Sequence, residues 1–301
     1  MGTRVSSTAG LLHGIAGGRS GHRSAAAEYP PGGVPLTFRS LTLMLVLASA
    51  IIAGIGTAHA FDEKNFEKQK SSPWAVFRFG FSAYKHGHKA EAIEAYRYAA
   101  DNGQVGASWK LAHMYAEGDG VTRNDYEAFK FFNRIVQDDV EPGTPDDSYV
   151  SDALVALAGY YMTGIPDTPV KRNLTAAQDY YMRAAATYRN PDAQFELGKM
   201  YLHGEGVKES IRQAARWLQL AAEKGHAGAQ ALLGNILFQA GKTVRGLAMM
   251  TAALAHCSSS DRPWIRGMQE EAFALSGESD RRTAIALADR IWTTGTETAE
   301  K

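Results

Sequence analysis

The sequence predicts an all-α superhelical solenoid of antiparallel helix pairs, and three observations carry that expectation. One pattern recurs: an alanine, a leucine four residues on, then tyrosine and glycine, as Ala107, Leu111, Tyr115, Gly118; Ala153, Leu157, Tyr161, Gly164; and Ala193, Leu197, Tyr201, Gly204. A fourth copy, Ala229, Leu233, Leu237, Ala240, keeps the spacing but loses the tyrosine and glycine, with Gly241 one residue late. The opening alanines stand 46, 40 and 36 residues apart, a period suited to stacked helix pairs whose connecting loops differ in length. Between glycine and proline breaks, apolar residues return every three or four positions, which is the helical period.

Residues 1–33 are rich in Gly, Ser, Arg and Pro and show no helical or strand period, so they read as a disordered leader or as untranslated sequence. Residues 40–60 contain no Lys, Arg, Asp or Glu, with Arg39 before them and Ala58-His59-Ala60 at their end. A positive flank, an apolar run and a small-x-small exit predict a secretory signal peptide over residues 34–60, cleaved between Ala60 and Phe61. Translation from Val34 would give that signal an ordinary length. A retained single-pass anchor is the alternative, because the run is nearly long enough to span a bilayer. Either way, residues 61–301 are expected outside the cytoplasmic membrane as a repeat solenoid.

Pro73, capped by Ser71 or Ser72, opens the first expected helix. Trp74, Phe77, Phe81 and Tyr84 recur along one face of it, and Gly87 ends it. Residues 89–102 follow, with Ala92, Ala95, Tyr96 and Ala99 on the packed side. The next pair is 107–117 and 124–136, turned at Gly118-Asp119-Gly120-Val121, where Val121 is placed to pack beneath the turn. Residues 137–148 are acidic and hold two prolines, so they are expected as a loop. Residues 153–163 and 174–188 form another pair around a longer turn carrying Pro166 and Pro169. Residues 192–203 and 210–224 make the clearest copy, and 229–239 with 243–256 the fourth. Helices at 263–275 and 280–293 depart from the pattern and are expected to cap the open end of the stack.

The chain has 301 residues, 45% hydrophobic and 21% charged, enough to bury a sizeable core. Four of the 32 Lys and Arg and one of the 32 Asp and Glu lie in the first 60 residues, leaving the remainder at a net charge of −3. Nucleic-acid binding requires a clustered basic surface, so that class is not expected. Cys257 is the only cysteine, which excludes an intrachain disulfide or a thiolate metal cluster and suggests a buried, inert thiol.

The turn Gly204-Glu205-Gly206-Val207, the following Ala214, Trp217 and Leu218, the junction Ala221-Ala222 to Gly225 to Ala229-Gln230, and Leu233-Gly234 together resemble the Sel1-like repeat, a relative of the tetratricopeptide repeat. Ala99-Ala100 to Gly103 and Ala107, and Ala184-Ala185 to Ala193, match less fully. The resemblance runs over about residues 75–256. An exported chain of this layout, opening on Trp74-Ala75-Val76-Phe77, is similar to the ExoR family of periplasmic negative regulators of exopolysaccharide synthesis. That resemblance implies binding and restraint of a membrane sensor histidine kinase of the ExoS or ChvG type, within a two-component system controlling succinoglycan. It also implies cleavage by a periplasmic protease when the periplasm turns acidic.

No local set supplies a nucleophile, a base and an orienting group, so no enzyme and no cofactor are expected. Glu117 with Asp119, and Glu205 with Glu209, are the nearest to paired carboxylates, but acids on glycine turns are ordinarily solvated. His86-Gly87-His88 is too little for a metal site. Histidine titrates in the range of a mildly acidic periplasm, which makes His113, His203 and His226 the candidate pH sensors between repeats, with residues 137–148 the exposed cleavage region. The candidate partner-binding residues are Lys110, His113, Lys199 and Gln230 on the first helices, with the loops after Gly118 and Gly164. The alternative function is a scaffold for polysaccharide, peptidoglycan or an envelope assembly. It would show Trp74, Phe77, Phe81, Tyr115, Tyr161 and Tyr201 facing solvent, whereas core packing would bury them.

Overall fold

Twelve helices follow one another in the computed structural model, which describes residues 72–137 and 141–299, with side chains to residue 291. The expected leader and signal segment, residues 1–60, lie outside the described residues. The helices are α1 (Pro73–Lys85), α2 (Lys89–Asp101), α3 (Val105–Glu117), α4 (Asp125–Gln137), α5 (Asp147–Thr163), α6 (Leu174–Thr187), α7 (Pro191–His203), α8 (Ile211–Ala222), α9 (Ala227–Gln239), α10 (Thr243–His256), α11 (Arg262–Ala274) and α12 (Glu278–Ala299). From α1 to α10 odd and even helices pair antiparallel, each even helix packs on the first helix of the next pair, and the last helix, α12, packs on α10. First helices also meet across pairs, α3 with α5 and α7 with α9. A layer whose members approach each other lies on the inner side of a curved stack, so over α3–α9 the odd helices form the inner layer.

The repeated alanine and leucine build this stack. Ala107, Ala153, Ala193 and Ala229 are fully buried, as are Leu111, Leu157 and Leu197, with Leu233 only 4% exposed. Alanine lets helices approach, and leucine fills the space between pairs at crystal-like density. Asn124, Asn173, Asn190 and Ser210 accept N–H bonds at the starts of α4, α6, α7 and α8, satisfying donors that a helix leaves open. Gly118 and Gly204 close α3 and α7 with φ of 76° and 69°. The second glycine of each turn serves close approach: a Cβ on Gly206 would stand 2.7 Å from Leu174 Cβ, and one on Gly120 would stand 2.9 Å from Lys89 Cβ. Val121 and Val207 pack beneath these turns as expected.

Three expectations need correction. Residues 147 and 148 belong to α5, not to a loop, because the Asp147 carboxylate accepts the N–H groups of Gly143 and Thr144 and starts the helix about two turns before Ala153. The ring face of α1 is not its buried face: Val76, Gly80 and Ala83 are buried, whereas Trp74 and Phe81 are 54% and 43% exposed. Gly80 sits against the wholly buried Tyr96, where a Cβ would come within 2.8 Å of the ring, so the small residues face α2. The last helix is also longer than residues 280–293, reaching Ala299.

At the far end, α9 and α10 pack backbone to backbone. A Cβ on Gly246 would meet Gly234 O at 2.6 Å. Leu247, Met250, Ala272 and Ala284 join α10, α11 and α12 in one cluster, and Ile265 of α11 closes over Ala231, Ala253 and Cys257. Cys257 is buried, and its thiol donates to Leu254 O.

Candidate partner-binding surface

On the inner layer, α3 and α5 are joined by a polar pin. Asp152 opens the exposed side of α5, and one of its carboxylate oxygens accepts from Trp109 Nε1 and stands 2.7 Å from His113 Nε2. Burial pushes the Asp152 carboxyl up, but the His113 and Trp109 bonds outweigh it and hold the group below the usual carboxylate range. The His113 ring lies 4.5 Å from the Trp109 ring and edge-on to Phe132, and its Nδ1 is 3.6 Å from Glu117. Lys110, one residue after Trp109, holds its ammonium 4.4 Å above the Tyr84 ring. Tyr149 completes the group beside Trp109.

A second group of the same composition joins α7 and α9. His226 caps α9: its Nδ1 accepts the Ala229 N–H, its ring stacks on Phe195 at 4.3 Å, and its Nε2 is 3.5 Å from Asp192. Burial lowers the His226 pKa, while Asp192, Glu196 and Asp261 pull the other way without prevailing. Lys199 stands 4.9 Å above the Phe195 ring and 2.7 Å from Glu196. When the opening alanines are aligned, Trp109 corresponds to Phe195, His113 to Lys199, and Asp152 to Asp192. Ring and basic side chain, Trp109 with His113 and Phe195 with Lys199, therefore stand at matching places on α3 and α7, whereas the carboxylate comes from the second helix, α5, in one group and from the first, α7, in the other. Such a face offers rigid aromatic anchors with charges at their edges.

The predicted residues divide. Lys110 and His113 come together in the first group and Lys199 in the second. Gln230 is 4% exposed and is not offered to a partner. Its place corresponds to Ser108 and Gln194, both buried, and Gln194 Nε2 donates to Ala185 O of the preceding helix. His203 is exposed at the end of α7 and does not lie between repeats. Asp119, after Gly118, accepts from Tyr84 and Lys89, which fix that loop and hold the carboxyl below its ordinary range. The loop after Gly164 is pinned by Ile165 and Val170, both buried, with Ile165 N–H donating to Val170 O. His86 and His88 turn to different partners, Ser82 O and Glu91. Among the described residues no three His, Cys, Asp or Glu side chains gather as a metal set, and no helix is long and apolar enough to cross a membrane. Asp152, Asp192, Trp109 and Phe195 escaped the sequence reading. Aligning the repeats column by column would have shown them, since Asp152 and Asp192 share one column and the two rings another.

The Sel1 repeat family matches residues 105–136, 151–186 and 191–226, which are the pairs from α3 to α8. A crystal structure of a Sel1 repeat protein from Oxalobacter formigenes superposes with a TM-score of 0.53 at 23% identity, over 73% of this chain and 88% of that one, and this likeness shows the fold alone. The chain is accordingly a solenoid of Sel1-type helix pairs. The chain is 53% identical over 236 residues to the exopolysaccharide production negative regulator of Rhizobium meliloti strain 1021, covering 78% of this chain and 88% of the relative. It is 48% identical over 251 residues to the protein of the same description from Rhizobium leguminosarum bv. viciae, covering 83% and 94%. With identity at this level across nearly the whole of both relatives, the chain belongs to the family of Sel1-repeat exopolysaccharide production negative regulators.

Proposed function

We propose that this chain is exported to the periplasm and there binds and restrains a membrane sensor histidine kinase, so lowering exopolysaccharide synthesis through a two-component system. The observation that carries the reading is the 53% identity across 88% of a relative described as an exopolysaccharide production negative regulator. The inner face supports it physically. A protein-binding scaffold needs preformed anchors, and the rings of Trp109 and Phe195 are held by the pins to Asp152 and His226 before any partner arrives. Lys110 and Lys199 stand beside those rings, where charge steers association and excludes wrong partners.

A deletion strain complemented with variants tests this reading. Loss of the chain should raise exopolysaccharide output, the wild-type chain should restore restraint, and Lys110→Glu combined with Lys199→Glu should accumulate in the periplasm without restoring it. Unchanged output in the deletion strain would remove the regulator reading. Full restoration by the double variant would remove this face as the docking surface.

A further inference from the structure

The repeated tyrosine of the first helix faces the second helix of its pair, and its surroundings differ in the third Sel1 repeat. In the first, Tyr115 stacks on Phe131 of α4 with centroids 5.8 Å apart and planes within 12°. In the second, Tyr161 stacks on Tyr180 of α6 at 5.6 Å and 7°. The corresponding third pair, Tyr201 of α7 and Trp217 of α8, instead flanks a cleft of about 280 Å³ lined also by Met182, Gln213, Arg216 and Leu220. Arg97 of α2 donates to the Tyr115 hydroxyl at 2.6 Å, whereas the aligned position on α6 is Met182, which lines the cleft.

From this geometry we propose that the Tyr201–Trp217 cleft is a binding site for a short saccharide bearing a carboxylate. The rings are half-buried and open to solvent on one side. A pyranose presents a C–H face to such rings and hydroxyls at its edge, and Gln213 at the rim can both donate and accept. Arg216 is exposed at the same rim and makes no ion pair or hydrogen bond among the described residues. Its guanidinium is a fork matched to a carboxylate. Leu220, 42% exposed, extends the apolar wall. The cleft is small, and Gln213 and Arg216 stand among its apolar lining residues. In a family that regulates exopolysaccharide production, this site would bring a product-like sugar to its regulator. The site does not depend on kinase binding, and the chain alone suffices to test it.

Titration calorimetry of the full chain with cellobiouronic acid, with neutral cellobiose and with benzoate decides the matter. The acidic disaccharide should bind with a Kd of about 1 mM or tighter, and cellobiose at least about tenfold more weakly. Arg216→Ala, at an exposed position that leaves the fold intact, should weaken the acidic sugar at least about tenfold, and Trp217→Phe should weaken both sugars. Circular dichroism checks that each variant is folded; if Trp217→Phe is not, Gln213→Ala takes its place with the same expectation. No binding of the acidic sugar, equal affinity in Arg216→Ala, or binding of benzoate without the sugar would each overturn the assignment.

Discussion

His226 holds a helix cap with a side chain that can gain a proton. The other N-caps with side-chain bonds among the described residues use Asn or Ser, but His226 must keep Nδ1 unprotonated to accept the Ala229 N–H. Burial depresses its folded pKa, so the unfolded chain binds the proton first as pH falls. Stability is therefore intact above the ordinary histidine range near pH 6.5 and is lost as pH drops toward the depressed folded value. Urea midpoints at pH 7.5 and 5.5 should fall for the wild type and fall less for His226→Asn, which keeps a cap acceptor that does not titrate. Equal drops in both chains would contradict this. Of the residues singled out in the sequence, the fold brings Lys110, His113, Lys199 and His226 into the two inner groups, whereas Gln230 is buried and His203 stands exposed at the end of α7. The reason is rotational: one position along a helix turns a side chain by 100°, and only repeat alignment places Gln230 in the buried column of Ser108 and Gln194.

At the scale of the element, the Gly-x-Gly turn joins a first helix to the start of the preceding second helix. Gly206 has φ of 72° and presses on Leu174, whereas Gly225 has φ of 81° with no atom near its missing Cβ. Gly225→Ala should cost only backbone strain, about 1 kcal/mol, while Gly206→Ala should add overpacking and cost about 2–4 kcal/mol. Equilibrium urea unfolding compares the two, and equal losses would show that the close approach contributes nothing. The helices, their pairing and these turns were legible because alanine, leucine and glycine answer local demands. The ring face of α1 misled because Trp74 and Phe81 stand on the exposed side of the first described helix, while burial goes to the small residues against Tyr96. The early start of α5 rests on an Asp147 cap reaching back four residues, a tertiary detail hidden in an acidic, proline-broken stretch.

Across the whole stack, adjoining apolar clusters run from α1 to α12, and each repeat is stabilised chiefly by its neighbours. The C-terminal pair completes this by covering Leu247 and Met250. A scaffold of this kind holds the inner anchors on α3–α5 and α7–α9 at fixed spacing, which favours a folded partner able to meet both groups at once. The most direct measurement is titration of the purified chain with the isolated periplasmic domain of the sensor kinase at neutral pH. The account predicts saturable binding that Lys110→Glu with Lys199→Glu weakens at least about tenfold and Arg216→Ala leaves unchanged. No binding with both proteins at about 100 μM would contradict it.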